Sequence, residues 1–115
     1  MLDGAYIPAF NKSKIHNCYK LRKNFKIIGS AHNIYEIRIK EKQNCEDIFI
    51  SPIFKTAYHE HYLGIYKFTN LSSNTKKRII ALGGINNSNF RKINRKFILG
   101  FASISWIKKN GLNKI

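Results

Sequence analysis

Acidic residues are scarce in this chain of 115 residues: six Asp and Glu stand against 21 Lys and Arg, a formal net charge of +15. Cysteine and proline number two each, and tryptophan one. Cys18 and Cys45 stand alone, with no Cys-x-x-Cys and no His at ligand spacing, which argues against a disulfide framework and against a zinc site. A reducing, cytoplasmic setting is the expectation. No apolar run approaches the roughly eighteen residues that a membrane span needs, and Met1 to Gly4 is not a basic region followed by a long apolar stretch. The reading is therefore of a chain without membrane or targeting segments. Low-complexity tracts, linkers and repeats longer than a strand–helix period are missing as well.

What is abundant is Ile (19 residues), Lys (16) and Asn (13), spread along the whole length. A basic surface attracts phosphate and speeds association with nucleic acid. Here, however, the charges form no uninterrupted run. Lys12, Lys14, Lys20, Arg22 and Lys23 come closest, and apolar residues recur among them, so a solvated surface accounts for the charge better than a nucleic-acid partner does. With 43% apolar residues, the length suits one domain around one core, residues 1–115.

The apolar residues are arranged as short runs, each ending in a small or polar cluster. Gly4 to Pro8 reads as a first strand stopped by proline. Ile27-Ile28 leads into Gly29-Ser30-Ala31-His32, Asp47 to Ile50 into Ser51-Pro52, and Ile79 to Leu82 into Gly83-Gly84. Phe97 to Ala102 reads as a fifth strand. The Ile79–Leu82 run does not alternate with polar residues, as expected of a strand covered on both faces in a parallel sheet. Between the strands lie helical patterns: Lys14 to Lys23, then a helix opened by Asn33 and Glu36 in capping-box spacing and carrying Ile34, Ile37 and Ile39. Leu63 to Leu71 reads as a short helix, Asn87 or Ser88 caps another through about Lys92, and Ser103 to Ile107 opens a last one. Ser51 to Tyr62 is a long polar and aromatic loop. Strands alternating with helices predict an α/β fold, a partial (β/α)8 barrel of about five parallel strands whose C-terminal ends carry the chemistry.

Four blocks occur in an order and spacing similar to those of the thiamine phosphate synthase and thiazole tautomerase (TenI) family: Gly29-Ser30-Ala31-His32, Ser51-Pro52-Ile53-Phe54-Lys55-Thr56, Ala81-Leu82-Gly83-Gly84-Ile85, and Gly100-Phe101-Ala102-Ser103-Ile104-Ser105. They resemble the ends of that family's fifth to eighth strands. Gly4 to Asn11 is similar to its fourth, where the family usually has a His, a Gly-Gln pair and an acidic residue. The resemblance implies a thiamine-biosynthesis protein that binds a phosphorylated thiazole through Ser30, Thr56, Gly83, Gly84, Ile104 and Ser105. It also implies His32 as the proton-moving group of a tautomerase. An imidazole that titrates near neutrality suits that work. Glycines without Cβ let a ligand approach the backbone, and the amides of a helix start favour an anion.

Other features of the family are not matched. Lys55 stands where its loop has proline, and Tyr58 and His59 where it has a hydroxyl and a lysine. The family's first three strands supply groups for a pyrimidine pyrophosphate and for magnesium, and nothing here resembles them. Magnesium belongs to the expected full-length family, and no cofactor ligand is read in this chain. Five strands do not close an eight-stranded barrel, so three outcomes are open: self-association or an N-terminal half-barrel partner covers the open face, the chain is a fragment of a longer protein, or it is a non-catalytic remnant. His59-Glu60-His61 does not match a metal motif, because residues i and i+2 on a loop face differently. As a different class, Tyr58, Tyr62, Tyr66 and Phe68 interleave with His and Lys, a pattern open to base stacking.

Overall fold

Ile27-Ile28, Ile48 and Ile50, and Ile79-Ile80 are β-branched residues whose stiff side chains suit a pleated sheet better than a helix. All of them lie in strands. The computed structural model describes residues 4–14, 25–56, 60–93 and 100–102. Within them are strands β1 (Gly4–Ile7), β2 (Lys26–Ala31), β3 (Asp47–Ile50), β4 (Arg78–Leu82) and β5 (Gly100–Ala102). Helix α1 (Ile34–Lys42) joins β2 to β3, and α2 (Ile65–Ser73) lies between β3 and β4. The sheet follows chain order, β1-β2-β3-β4-β5, and every pairing is parallel. Sequential parallel strands with helical crossovers form an α/β sheet of the partial-barrel type.

Register sorts the strand residues onto two faces. Gly29 pairs with Ile48 and Ile48 with Ile79, and one step further Ala31 pairs with Ile50 and Ile50 with Ala81. Ile7, Ile27, Ile48, Ile50, Ile79 and Ala81 are buried, and they share a core with Ile37 of α1 and with Phe68 and Leu71 of α2. The alternate residues lie on the opposite, inner face. There Ser30, Phe49 and Ile80 are aligned across three strands. Ile28, Phe49, Ile80 and Leu82 are partly exposed on this face, and Tyr6 is 55% exposed. One face of the sheet is thus packed and the other is open.

Helix α1 begins where its capping signal lies: Asn33 Oδ1 accepts from the Glu36 amide at 2.8 Å. It ends in a Schellman arrangement, with the Cys45 amide donating to Lys40 O and the Asn44 amide to Glu41 O, and with Asn44 at φ 62°. Of its three isoleucines only Ile37 is buried, while Ile34 is 41% exposed. Helix α2 starts two residues later than the sequence pattern suggests, behind Gly64 at φ 79°. The helix expected from Asn87 or Ser88 is instead one 3-10 turn, Phe90–Lys92. Asn86 Oδ1 accepts from the Ser88 and Asn89 amides, and Asn89 Oδ1 accepts from the Asn86 amide. Side chains that bind the local backbone in this way compete with a helix. The expected helices at Lys14–Lys23 and Ser103–Ile107 lie outside the described residues, apart from Lys14 itself, as do residues 97–99 of the expected fifth strand.

Candidate functional site

Because all strands run the same way, their C-terminal ends share one rim, and three of the four blocks meet there. On the inner face, the Ser30 side chain of β2 is buried, 7% exposed, and its Oγ lies 2.7 Å from the Tyr6 hydroxyl of β1. Tyr6 is in register with Ile28, two residues before Ser30, so its ring spans the diagonal between neighbouring strands on one face.

His32 leaves the end of β2 with its side chain half exposed. Its backbone amide donates to Glu36 Oε1 at 2.8 Å, and its Nδ1 lies 3.1 Å from the same oxygen. A carboxylate only accepts, so the neutral ring donates from Nδ1 and keeps the lone pair on Nε2. The capping spacing of Asn33 and Glu36 therefore also sets the orientation of the histidine.

Gly83 and Gly84 follow β4 at φ 105° and 69°. A Cβ on Gly83 would lie 2.8 Å from Pro52 Cα, and one on Gly84 2.7 Å from Lys55 O. Glycine is required at both positions because the segment after β3 packs against the turn. The Ile53 and Phe54 amides donate to Leu82 O and Gly83 O, each at 3.0 Å. Asn89 Nδ2 adds a bond to Gly84 O at 2.9 Å. Thr56, at the end of this segment, is partly buried. The glycine turn and the 52–56 loop are thus one docked unit. Ser30 stands two strands away and is level with Ile80, three residues before Gly83. Ile104 and Ser105, the remaining sequence-read site residues, lie outside the described residues, as do Tyr58 and His59. Of the other aromatic residues open to base stacking, Phe68 is buried in the core, while Tyr62 and Tyr66 are exposed.

Two further charged clusters lie away from this rim. Asp47, at the opposite end of β3, accepts from Lys26 Nζ at 2.6 Å and Arg78 Nε at 2.7 Å. Lys40, fully buried on α1, donates to Asn11 O at 2.9 Å and Gln43 Oε1 at 2.7 Å. Burial lowers its pKa. Magnesium is usually held by one or two free carboxylates together with waters and phosphate oxygens. Among the described residues no three His, Cys, Asp or Glu gather, and Glu36, Glu41 and Asp47 are held by His32, Arg38, Lys26 and Arg78. These three carboxylates are engaged by cationic or imidazole partners and do not fit that ion.

The sequence reading missed Tyr6, and it read Glu36 only as a cap. Glu36 carried a visible signal, its spacing from Asn33. Tyr6 had none until the β1–β2 register placed it beside Ser30.

A family model described as thiamine monophosphate synthase matches residues 3–107. The chain belongs to the thiamine monophosphate synthase family. A thiamine-phosphate synthase of Prochlorococcus marinus is 38% identical to it over 96 residues, which make up 81% of this chain and 28% of that protein. One from Methanococcus vannielii is 31% identical over 84 residues, 70% of this chain and 41% of that protein. The solved structure of a thiamine phosphate pyrophosphorylase from Pyrococcus furiosus superposes with a TM-score of 0.69 at 20% identity, over 89% of this chain and 48% of that one. This member of the thiamine monophosphate synthase family thus has the family's fold and spans between about a quarter and a half of the relatives it matches.

Proposed function

We propose that this chain forms the thiazole-phosphate half of a thiamine-phosphate synthase site and acts in thiamine biosynthesis. What supports the reading most is the rim itself: the Gly83–Gly84 turn, locked to the 52–56 loop, stands on the same sheet end as the Ser30 hydroxyl. Backbone amides at the glycine turn take the phosphate of the thiazole, and the family resemblance adds Ile104 and Ser105 to that site. Synthase chemistry joins a pyrimidine carbocation to that thiazole, and it needs groups that stabilise the departing pyrophosphate. Those groups come from a second half, supplied by an N-terminal half-barrel or a second copy, and the magnesium of the complete site belongs with them. The working place is the cytoplasm.

The test is an amide NMR titration of the purified chain with thiazole phosphate and with inorganic phosphate, light scattering being measured on the same sample. The expected result is saturable shifts at Gly83 and Gly84. A folded spectrum that neither compound moves overturns the reading.

The His32–Glu36 pair favours a second reading, a TenI-like thiazole tautomerase. Glu36 holds Nδ1–H, Nε2 takes a proton from the substrate, and the same nitrogen returns it at another position, with no net change in atoms. In that case His32→Ala abolishes isomerisation while the phosphate-dependent shifts persist. Equal isomerisation by the variant discards the idea.

A further inference from the structure

We infer, resting on the half-site reading above, that the open inner face of the sheet docks an acidic polypeptide strand rather than a second copy of this chain, and that the strand lays a carboxylate against Lys26. The face is charged at one end and apolar beyond it. At the N-terminal ends of β2, β3 and β4, Lys26 Nζ lies 2.6 Å from Asp47 Oδ2, and Arg78 Nε lies 2.7 Å from Asp47 Oδ1. Two residues further along each strand stand Ile28, Phe49 and Ile80, partly exposed on the same face. One buried carboxylate is thus shared by two half-exposed cations. Glu46 adds a second carboxylate on the Arg78 side, 3.9 Å from Nη2. On the other side Lys26, with three N–H donors, has its share of Asp47.

Covering this face takes Lys26 out of water. A cation that loses water without gaining a counter-charge is costly, so the cover brings a carboxylate to that level. Space for it lies on β1, where Gly4 is in register with Lys26 and carries no side chain; a Cβ there would collide with Lys26 O. As the first strand in the sheet order, β1 offers edge backbone groups to an added strand. The occupant is therefore a strand whose carboxylate is followed, two and four residues on, by apolar side chains that meet Ile28, Phe49 and Ile80. A second copy has the wrong charge. Each copy carries +15 and brings its own Lys26 and Arg78. Surfaces in contact lie within the Debye length of roughly 8 Å at physiological salt, so that repulsion is felt. An acidic partner turns the same charge into attraction.

Three synthetic peptides of equal length are the probes: an alternating valine–threonine strand with glutamate two residues before its first valine, the same strand with glutamine in that place, and oligoglutamate. Binding to the full chain is measured by calorimetric titration and by NMR of the Phe49 ring and the isoleucine methyl groups. Sedimentation velocity gives the oligomeric state of the chain alone. The expected result is a monomer that binds the glutamate strand about tenfold more tightly than the glutamine strand, with shifts at Ile28, Phe49 and Ile80. Oligoglutamate should leave those resonances in place. In Lys26→Met, with the fold checked by circular dichroism, the two strands should bind within about twofold of each other. Equal affinities in the wild type, no binding of either strand by the folded chain, or Phe49 shifts with oligoglutamate overturn the inference. A dimer whose Phe49 resonances move with protein concentration gives the face to a second copy and overturns it too. If the glutamate strand binds as expected while thiazole phosphate moves nothing, the acidic partner stands and the half-site reading falls.

Discussion

Lys40 and Cys45 lie so close that a Cβ on Gly29 would meet both, at 2.6 Å from Lys40 Cδ and 2.8 Å from Cys45 Sγ. Burial pushes the Cys45 thiol up from 9.0 to about 11, against the opposing pull of Lys40. The folded protein therefore holds this proton more tightly than the unfolded chain does. The stability it contributes is whole below pH 9 and is lost as pH rises to about 11, an amount of about 3 kcal/mol. The lowered pKa of Lys40 acts in the opposite direction at alkaline pH, so the thiol is isolated by difference. Urea unfolding of wild type and Cys45→Ala at pH 8 and pH 10.5 should show a smaller alkaline loss in the variant; equal losses would mean that the thiol is not shifted. Legibility at this scale followed the range of the interaction. The Asn33–Glu36 cap is a three-residue relation, and it could be read directly. Lys40 sits in a helix among charged neighbours and reads as a solvated residue. It is buried because Asn11 and Gln43, brought to it by the chain after β1 and by the end of α1, satisfy its amine.

Three strands are tied at their N-terminal ends by Asp47, whose side chain is 3% exposed between Lys26 of β2 and Arg78 of β4. Removing the carboxylate leaves two cations facing each other beside buried strand ends. Because the cations are about half exposed, Asp47→Asn is expected to cost about 2 kcal/mol, below the range for a fully buried pair. Lys26→Met is expected to cost under about 1 kcal/mol. Chemical denaturation at neutral pH checks both, and an unchanged Asp47→Asn midpoint would show that the β2–β3–β4 register does not depend on this residue. The strands themselves were legible because their apolar runs are short, β-branched and bounded by glycine, serine or proline. The turn after β4 was less so. Asn86, Ser88 and Asn89 have the composition of a helix start, yet their side chains close on one another and leave only the 3-10 turn.

Across the molecule, the two faces of the sheet differ in cover. The outer face is packed under α1 and α2, while the inner face leaves Tyr6, Ile28, Phe49, Ile80 and Leu82 partly open. Contiguous apolar surface of this kind binds apolar dyes or another chain. The purified chain should therefore enhance the fluorescence of an anilinonaphthalene dye, and Phe49→Asn should reduce the enhancement at least twofold without loss of helix signal. No enhancement in the wild type would mean that this face is covered. The short apolar runs and the residues that bound them determined the fold class from sequence alone, and the resemblance carried by the four blocks pointed to the family, because each run and each block is written within a few consecutive residues. The tertiary structure alone decided which side chains meet: Tyr6 with Ser30 over 24 residues, the glycine turn with Pro52 to Lys55, and Asp47 with Arg78 over 31. Such contacts depend on strand register, and register is set by the summed packing of the core rather than by any local signal.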